Sequence, residues 1–307
     1  MSTATADQES VQIRRGLPWY LLLWRDKFAF ASAIWFALLL SFVLLGPAFL
    51  NETAIRLDLS ARNAAPGFEH GWLYIFGADP LGRPLLPRLM VGARNTLAIA
   101  GSAVLIALTV GGILGMIAGY LGGLVGAAIM RLADVISSFP SLLLALVVLY
   151  ILEPHVMNIV IVLAITRTAI YLRVTRAEVL ELRERVFVDA ARSLGGSSTH
   201  ILRTHIAPMI APMLATIMTV DFASVMLAES ALSFLGIGIQ PPEITWGLMV
   251  SQGRNYLTQA WWLAFIPGLA ITLTALSANL LSSWLRTLAD PVQRWRLEAP
   301  KVEKAAK

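Results

Sequence analysis

Residues 135–172 read VISSFPSLLLALVVLYIL, then Glu153-Pro154-His155, then VMNIVIVLAITRTAIYL. How this stretch is divided decides the fold. A helix that spans a bilayer needs about 20 mostly apolar residues. Taken as one helix, the stretch would be 38 residues long with Arg167 deep inside it, which fits no bilayer. Taken as two, Val135–Leu152 is a short span interrupted by Pro140, and Val156–Leu172 is the next, containing Arg167. Proline inside a membrane helix is tolerated where neighbouring helices or side chains satisfy the freed carbonyl.

Outward from this pair, four more runs have the length and composition of spans. They are Phe28–Leu50, Thr96–Tyr120, Pro208–Ala228 and Ala260–Leu285. The second is bounded by Asn95 and Gly122-Gly123, the third holds Asp221 and the fourth holds Pro267. The sequence thus predicts an all-α polytopic membrane protein with six transmembrane helices. Composition agrees. Of 307 residues, 57% are hydrophobic and 14% are charged, with a mean hydropathy of +0.70, whereas soluble domains carry about 25% charged residues. The first apolar run begins near Phe28, too far in for a cleavable signal peptide. There is no cysteine, which excludes disulfides and thiolate metal sites. The P-loop, dinucleotide, zinc-protease and nucleophile-elbow motifs are all missing, so no catalytic residue and no metal ligand is assigned.

Six spans put both termini on one side. Seventeen of the 24 Lys and Arg residues then fall on that side and six on the other, with Arg167 inside a span. The positive-inside rule makes the richer side cytoplasmic. The expected organisation is a cytoplasmic tail (1–27), a first span (28–50), an external segment (51–95), a five-span core (96–285) and a cytoplasmic tail (286–307). The core includes a cytoplasmic loop, 173–207, and an external segment, 229–259, too apolar to be freely solvated. No internal repeat is visible.

The cytoplasmic loop is patterned. Val174–Leu194 reads as one helix, with Glu178, Glu181, Arg183, Glu184 and Arg185 on polar faces. Asp189-Ala190-Ala191 follows with small side chains, and Gly195-Gly196 can end the helix. Ser197, Ser198 or Thr199 can N-cap a second helix that runs through His205 to Pro208. Small residues at the turn let another surface approach closely.

This spacing, Asp189-Ala190-Ala191, then Gly195, then His205-Ile206-Ala207-Pro208, resembles the EAA loop of ABC-importer permeases, in its dipeptide/oligopeptide/nickel branch. Asp stands here for the usual Glu, and Ala207 for a common Leu. Two other stretches resemble the same branch. One is Gly77-Ala78-Asp79-Pro80-Leu81-Gly82-Arg83-Pro84, followed by Arg88 and Gly92-Ala93-Arg94. The other is Glu229-Ser230-Ala231-Leu232-Ser233-Phe234-Leu235-Gly236-Ile237-Gly238, followed by Pro241-Pro242 and Trp246-Gly247. Tyr171, Arg173, Arg176, Glu178 and Leu180 fit the approach to the EAA loop, and Asp290-Pro291 fits the closing motif.

The resemblance implies a type I ABC-importer permease that forms half of a pathway for dipeptides or oligopeptides. Nickel chelates, glutathione and related solutes are carried by other members of the branch. Asp189, Ala190, Ala191, Gly195, His205 and Pro208 would form the coupling helix seated on a cytoplasmic ATPase. Asp79, Gly82, Arg83, Glu229, Ser233, Phe234, Leu235 and Gly236 would face an external binding protein or the outer gate. The implied partners are a second related permease, two ATP-binding subunits and the binding protein, in a bacterial inner membrane. ATP and Mg would sit on partner subunits, with no cofactor on this chain and no nucleic acid.

Arg167 and Asp221 are costly in lipid, by about 2.5–3.5 kcal/mol each on insertion scales. Either they line the pathway, or they make a structural polar contact within the chain or with the partner permease. At 1.5 Å per residue the assigned spans place them roughly 12 Å apart in depth, so pairing requires the spans to be offset or the arginine to reach. Arg83, Arg88 and Arg94 are equally compatible with lipid headgroup contact. Gly115 and Gly119 form a small-xxx-small pair of the kind found in close helix packing. A secondary transporter acting alone, with Arg167 and Asp221 as coupling groups, is the alternative from another class. The absence of inverted-repeat symmetry weighs against it. A non-transporting membrane scaffold is disfavoured by the loop pattern.

Overall fold

The computed structural model describes residues 18–152 and 155–289. Glu153-Pro154, Asp290-Pro291, residues 1–17 and the rest of the C-terminal tail lie outside the described residues. Along the chain run α1 (Trp19–Arg25), α2 (Lys27–Ile55), α3 (Leu85–Leu121), α4 (Gly123–Ser137), α5 (Ser141–Leu152) and α6 (Val156–Leu182). There follow α7 (Val186–Ser193), α8 (Ser198–Ile201), α9 (Ala207–Phe234), α10 (Trp246–Gly253) and α11 (Trp262–Ala289). Among the described residues there is no β-strand.

Among the described residues, five helical rods are long and apolar enough to cross a bilayer: the 27–46 part of α2, α3, α6, the rod from α8 through α9, and α11. The sixth crossing differs from the expected Val135–Leu152 span. Its α5 has only 12 residues, about 18 Å of helix against a hydrocarbon core of about 30 Å. It continues α4 across a bend of 84° at residues 138–140. Pro140 disfavours the helical conformation at the residue before it, and α4 closes with the Ser138 N–H on the Asp134 carbonyl at 2.9 Å.

Packing shows that this broken pair crosses. Gly111, Gly115 and Gly119 of α3 abut Thr168–Tyr171, Leu172–Thr175 and Arg176–Val179 of α6, in that order. The two helices therefore run parallel, and the chain between them returns from one end of the bundle to the other. At the opposite edge, Leu22 of α1 and Ala29 of α2 pack on Trp284 of α11. Farther along, Trp35 Nε1 donates to Thr274 Oγ1 at 3.0 Å. The start of α2 and the end of α11 thus share one end of the bundle. The segment before Phe28, expected to be a polar tail, includes α1 with Leu22 buried. Its exposed Trp19, Tyr20 and Trp24 suit a headgroup layer.

Helix α6 continues ten residues past Leu172, the expected end of its span. Beyond Leu172, Arg173 and Glu181 are exposed and Arg176 and Glu178 half-buried, while Thr175, Val179 and Leu182 stay buried at helical spacing. This extension changes the depth of Arg167. It lies 15 residues above the end of α6, and Asp221 lies 14 above the start of α9. At about 1.5 Å per residue these are matching depths.

Candidate functional site

One end of the bundle carries the loop 183–206. The single helix expected over Val174–Leu194 is broken at residues 183–185. Arg183 turns back there and donates through Nη1 to the Gly119 carbonyl at 3.0 Å, near the exposed end of α3. Such end carbonyls lack helical partners, which explains a break that no Gly or Pro in the sequence marks. Helix α7 then lies across the bundle end and is closed by glycines. The Gly195 N–H bonds to Arg192 O and the Gly196 N–H to Ala191 O, both at 2.9 Å. Gly195 has φ of +84°, a conformation that costs side chains with a Cβ. Ser197 caps α8, accepting from the His200 N–H at 3.3 Å. Leu202–Ile206 form one π-helical turn that feeds into α9, with Pro208 at its start.

Val188, Ile201 and Ile206 are buried and anchor this loop. Asp189, Ala190 and Arg192 are exposed, and Asp189 pairs with Arg192 at 3.3 Å. Arg192 also stacks over the Tyr120 ring at 5.4 Å. The His205 ring sits among Phe187 and His200. Two apolar side chains point away from the bundle, Val186 at 83% exposed and Leu194 at 89%.

The far end holds two interlocked motifs. In the first, the Asp79 carboxylate organises a tight turn. Its Oδ1 accepts from the N–H groups of Leu81 and Arg83, both at 2.9 Å. Its Oδ2 accepts from Arg83 Nε and Nη2, both at 2.6 Å. Gly82 has φ of +75°, and a Cβ there would lie 1.6 Å from the Asp58 carbonyl oxygen, so only glycine fits. Asp58 accepts from Ser60 Oγ at 2.5 Å and from Tyr74 Oη at 3.2 Å. The Ser60 hydroxyl holds the Asp58 carboxyl below the usual carboxylate range. Arg88, weighed in the sequence as a headgroup contact, is instead buried. It reaches Asp79 Oδ2 at 3.8 Å, Ala54 O at 3.5 Å and Gln252 Oε1 at 3.3 Å.

In the second motif, Glu229 and Ser233 are fully buried. Ser233 Oγ donates to Glu229 Oε1 at 2.8 Å and accepts from the Ile239 N–H at 3.2 Å. They brace a turn whose crest is Phe234, Leu235 and Gly236, all exposed. Helix α10 then folds back onto the bundle. Trp246 donates through its ring nitrogen to Leu89 O at 2.9 Å and through its backbone N–H to Thr96 Oγ1 at 3.0 Å. Thr96 and Gln252 are contacts that no recognised motif contains.

Between the two ends, Arg167 Nη1 meets Asp221 Oδ1 at 3.3 Å, with Asp221 buried and Arg167 one-fifth exposed. The structural contact weighed from the sequence therefore exists within the chain, joining α6 to α9.

Residues 111–295 match the family described as the binding-protein-dependent transport system inner membrane component. The chain belongs to this family. It is 36% identical over 260 residues to the probable D,D-dipeptide transport system permease protein DdpC of Escherichia coli, covering 85% of this chain and 86% of that one. It is 41% identical over 218 residues to the di/tripeptide transport system permease protein DppC of Pseudomonas aeruginosa, covering 71% and 72%. It is 35% identical over 235 residues to the nickel transport system permease protein NikC of Escherichia coli, covering 76% and 83%. This permease is thus a multi-pass membrane component of an ABC transporter that works with other transporter subunits.

Proposed function

We propose that the chain is one permease half of an ATP-driven importer for short peptides, seated through α7 and α8 on a cytoplasmic ATP-binding subunit. A second related permease completes the pathway, two ATP-binding subunits hold ATP and Mg, and an external binding protein docks at the far end. The end with the 183–206 loop is cytoplasmic, as its arginines require. The observation that carries the reading is the surface of that loop. Val186 and Leu194 are almost fully exposed at either end of α7, and the exposed Ala190 between them opposes no bulk. These side chains give a partner protein apolar area to bury. The loop is continuous with α6 and α9, so its rigid-body displacement reaches the membrane directly. The peptide class is supported by the names of the dipeptide and di/tripeptide relatives. The relative named for nickel makes a metal chelate the second reading. Arg167 and Asp221 serve in this scheme as a clamp between two moving helices.

The test is Ala190→Glu in the assembled transporter. Peptide uptake falls at least about tenfold, the effect of losing 1.4 kcal/mol at the contact, while the permease is still made and inserted. Unchanged uptake at equal expression would remove the docking role. Competition between labelled dipeptide and nickel chelate decides the substrate class.

A further inference from the structure

The far end contains an open cleft of about 460 Å³, within the roughly 300–1,000 Å³ usual for small-ligand sites. Arg62, Asp79, Arg83, Arg88, Gln252 and Tyr256 line it. Its charges do not balance. Three guanidinium groups face one carboxylate, and Arg83 already engages that carboxylate with two bonds of 2.6 Å. Arg88 is only 4% exposed, yet its nearest anionic atom is 3.8 Å away and its two hydrogen bonds are long, at 3.3 and 3.5 Å. Arg62, on the exposed rim, has no ion-pair partner among the described residues. Asp58, the acid nearest Arg62 in sequence, has its carboxylate engaged by Ser60 and Tyr74.

A buried guanidinium whose one counter-charge lies 3.8 Å away and is shared with a second arginine is incompletely compensated. A concave wall with net positive charge concentrates anions. Planar guanidinium donors match a carboxylate, and Gln252, Asn255 and Tyr256 add polar groups beside them. We propose that this cleft binds the free C-terminal carboxylate of a short peptide on the outer face, ahead of the membrane path. The proposal rests on the peptide-import reading and assigns Arg62 and Arg88 as the residues that recognise the substrate's charge.

The experiment uses the assembled transporter in phosphatidylcholine nanodiscs, without binding protein and in phosphate-free buffer. Equilibrium dialysis measures labelled L-alanyl-L-alanine and its C-terminal amide. The acid binds at least about tenfold more tightly than the amide, as loss of a charge-assisted bond predicts. Arg62→Gln, at a side chain with no hydrogen bond or ion pair among the described residues, removes most of that preference, and Arg88→Lys weakens it. Equal binding of acid and amide, or a preference untouched by Arg62→Gln, overturns the cleft assignment. If the free acid is not retained and Arg62→Gln instead weakens capture of the binding protein, the carboxylate belongs to that partner and the proposal fails. Peptide uptake by the wild-type complex is measured in parallel. Uptake without acid preference sinks the cleft alone. Acid preference without uptake supports the cleft and sinks only the import reading.

Discussion

Replacing Gly115 by Ala tests the helix contact on which the whole arrangement depends. A Cβ at Gly115 would lie 2.6 Å from Thr175 Cβ and 2.7 Å from the Leu172 carbonyl oxygen. Carbon contacts relax at about 3.5–4.0 Å, so α3 and α6 must part by about 1 Å. The oxygen belongs to the backbone and cannot rotate away. Neighbouring Gly111 and Gly119 hold the same close approach, at 2.6 and 2.8 Å, and lose contact when the helices part. Overpacking of this kind costs about 1–3 kcal/mol. Gly112 is the control. One residue earlier than Ile113 on the same helix, its Cβ would meet nothing within 4 Å. Gly112→Ala therefore gains up to about 1 kcal/mol of helix propensity with no clash. Both substitutions gain the same helix propensity, so they should differ by the overpacking cost, about 1–3 kcal/mol. Both variants are purified in detergent and unfolded with SDS, followed by tryptophan fluorescence. Gly115→Ala unfolds at markedly lower SDS than wild type, and Gly112→Ala does not. Equal shifts would refute the backbone-to-backbone contact, and with it the parallel pairing of α3 and α6.

The Arg167–Asp221 clamp predicts coupling: Arg167→Gln and Asp221→Asn each destabilise, and the double variant loses less than their sum by about 0.6–1.7 kcal/mol, the range for polar contacts between membrane helices. Strict additivity in SDS unfolding would mean that the two side chains do not meet. The Asp58 turn predicts a pH effect of definite sign. Its folded carboxyl lies below the unfolded value, so its contribution is complete above about pH 4 and disappears as pH falls through the lower folded value. Protection factors of the amides at residues 58–61, corrected for the intrinsic exchange rate, should fall on acidification below about pH 4 in wild type and stay constant in Asp58→Asn. The same acid response in both would discard the role.

Much of this was legible because hydrophobic length and the glycine, aspartate and proline positions constrain a membrane chain strongly. The runs at Phe28, Thr96, Pro208 and Ala260 all became long helices. The third span was misplaced because apolar composition continues through Val135 while direction does not. Pro140 was visible, but the bend it marks depends on α4 packing against α3 and α6. Charge appearing after Leu172 suggests that the fourth span ends there. Charges on one face of a helix do not end it when Thr175, Val179 and Leu182 keep the other face buried. That single error separated Arg167 from Asp221 by a depth they do not have. The break at residues 183–185 had no local signal, since it arises from Arg183 finding a carbonyl 64 residues away. Gly111 was readable as the four-residue predecessor of Gly115. Arg88 stood inside a recognised motif, but its burial against Gln252 is a tertiary fact.

The glycine seam between α3 and α6 has a mechanical consequence. Helix α3 has 37 residues, about 55 Å of rod, and at three levels its glycines let it close onto the α6 backbone and the first side-chain carbons of Tyr171, Thr175 and Val179. Two rods keyed this tightly resist sliding past each other and tilt together. One end of the joined strut bears Arg88 and the polar cleft, and the other ends where Arg183 ties α3 to the turn into α7. In the coupling proposed for α7, a push there is carried as leverage along the strut's length, some fifty ångströms, to the far-end turns at its tip.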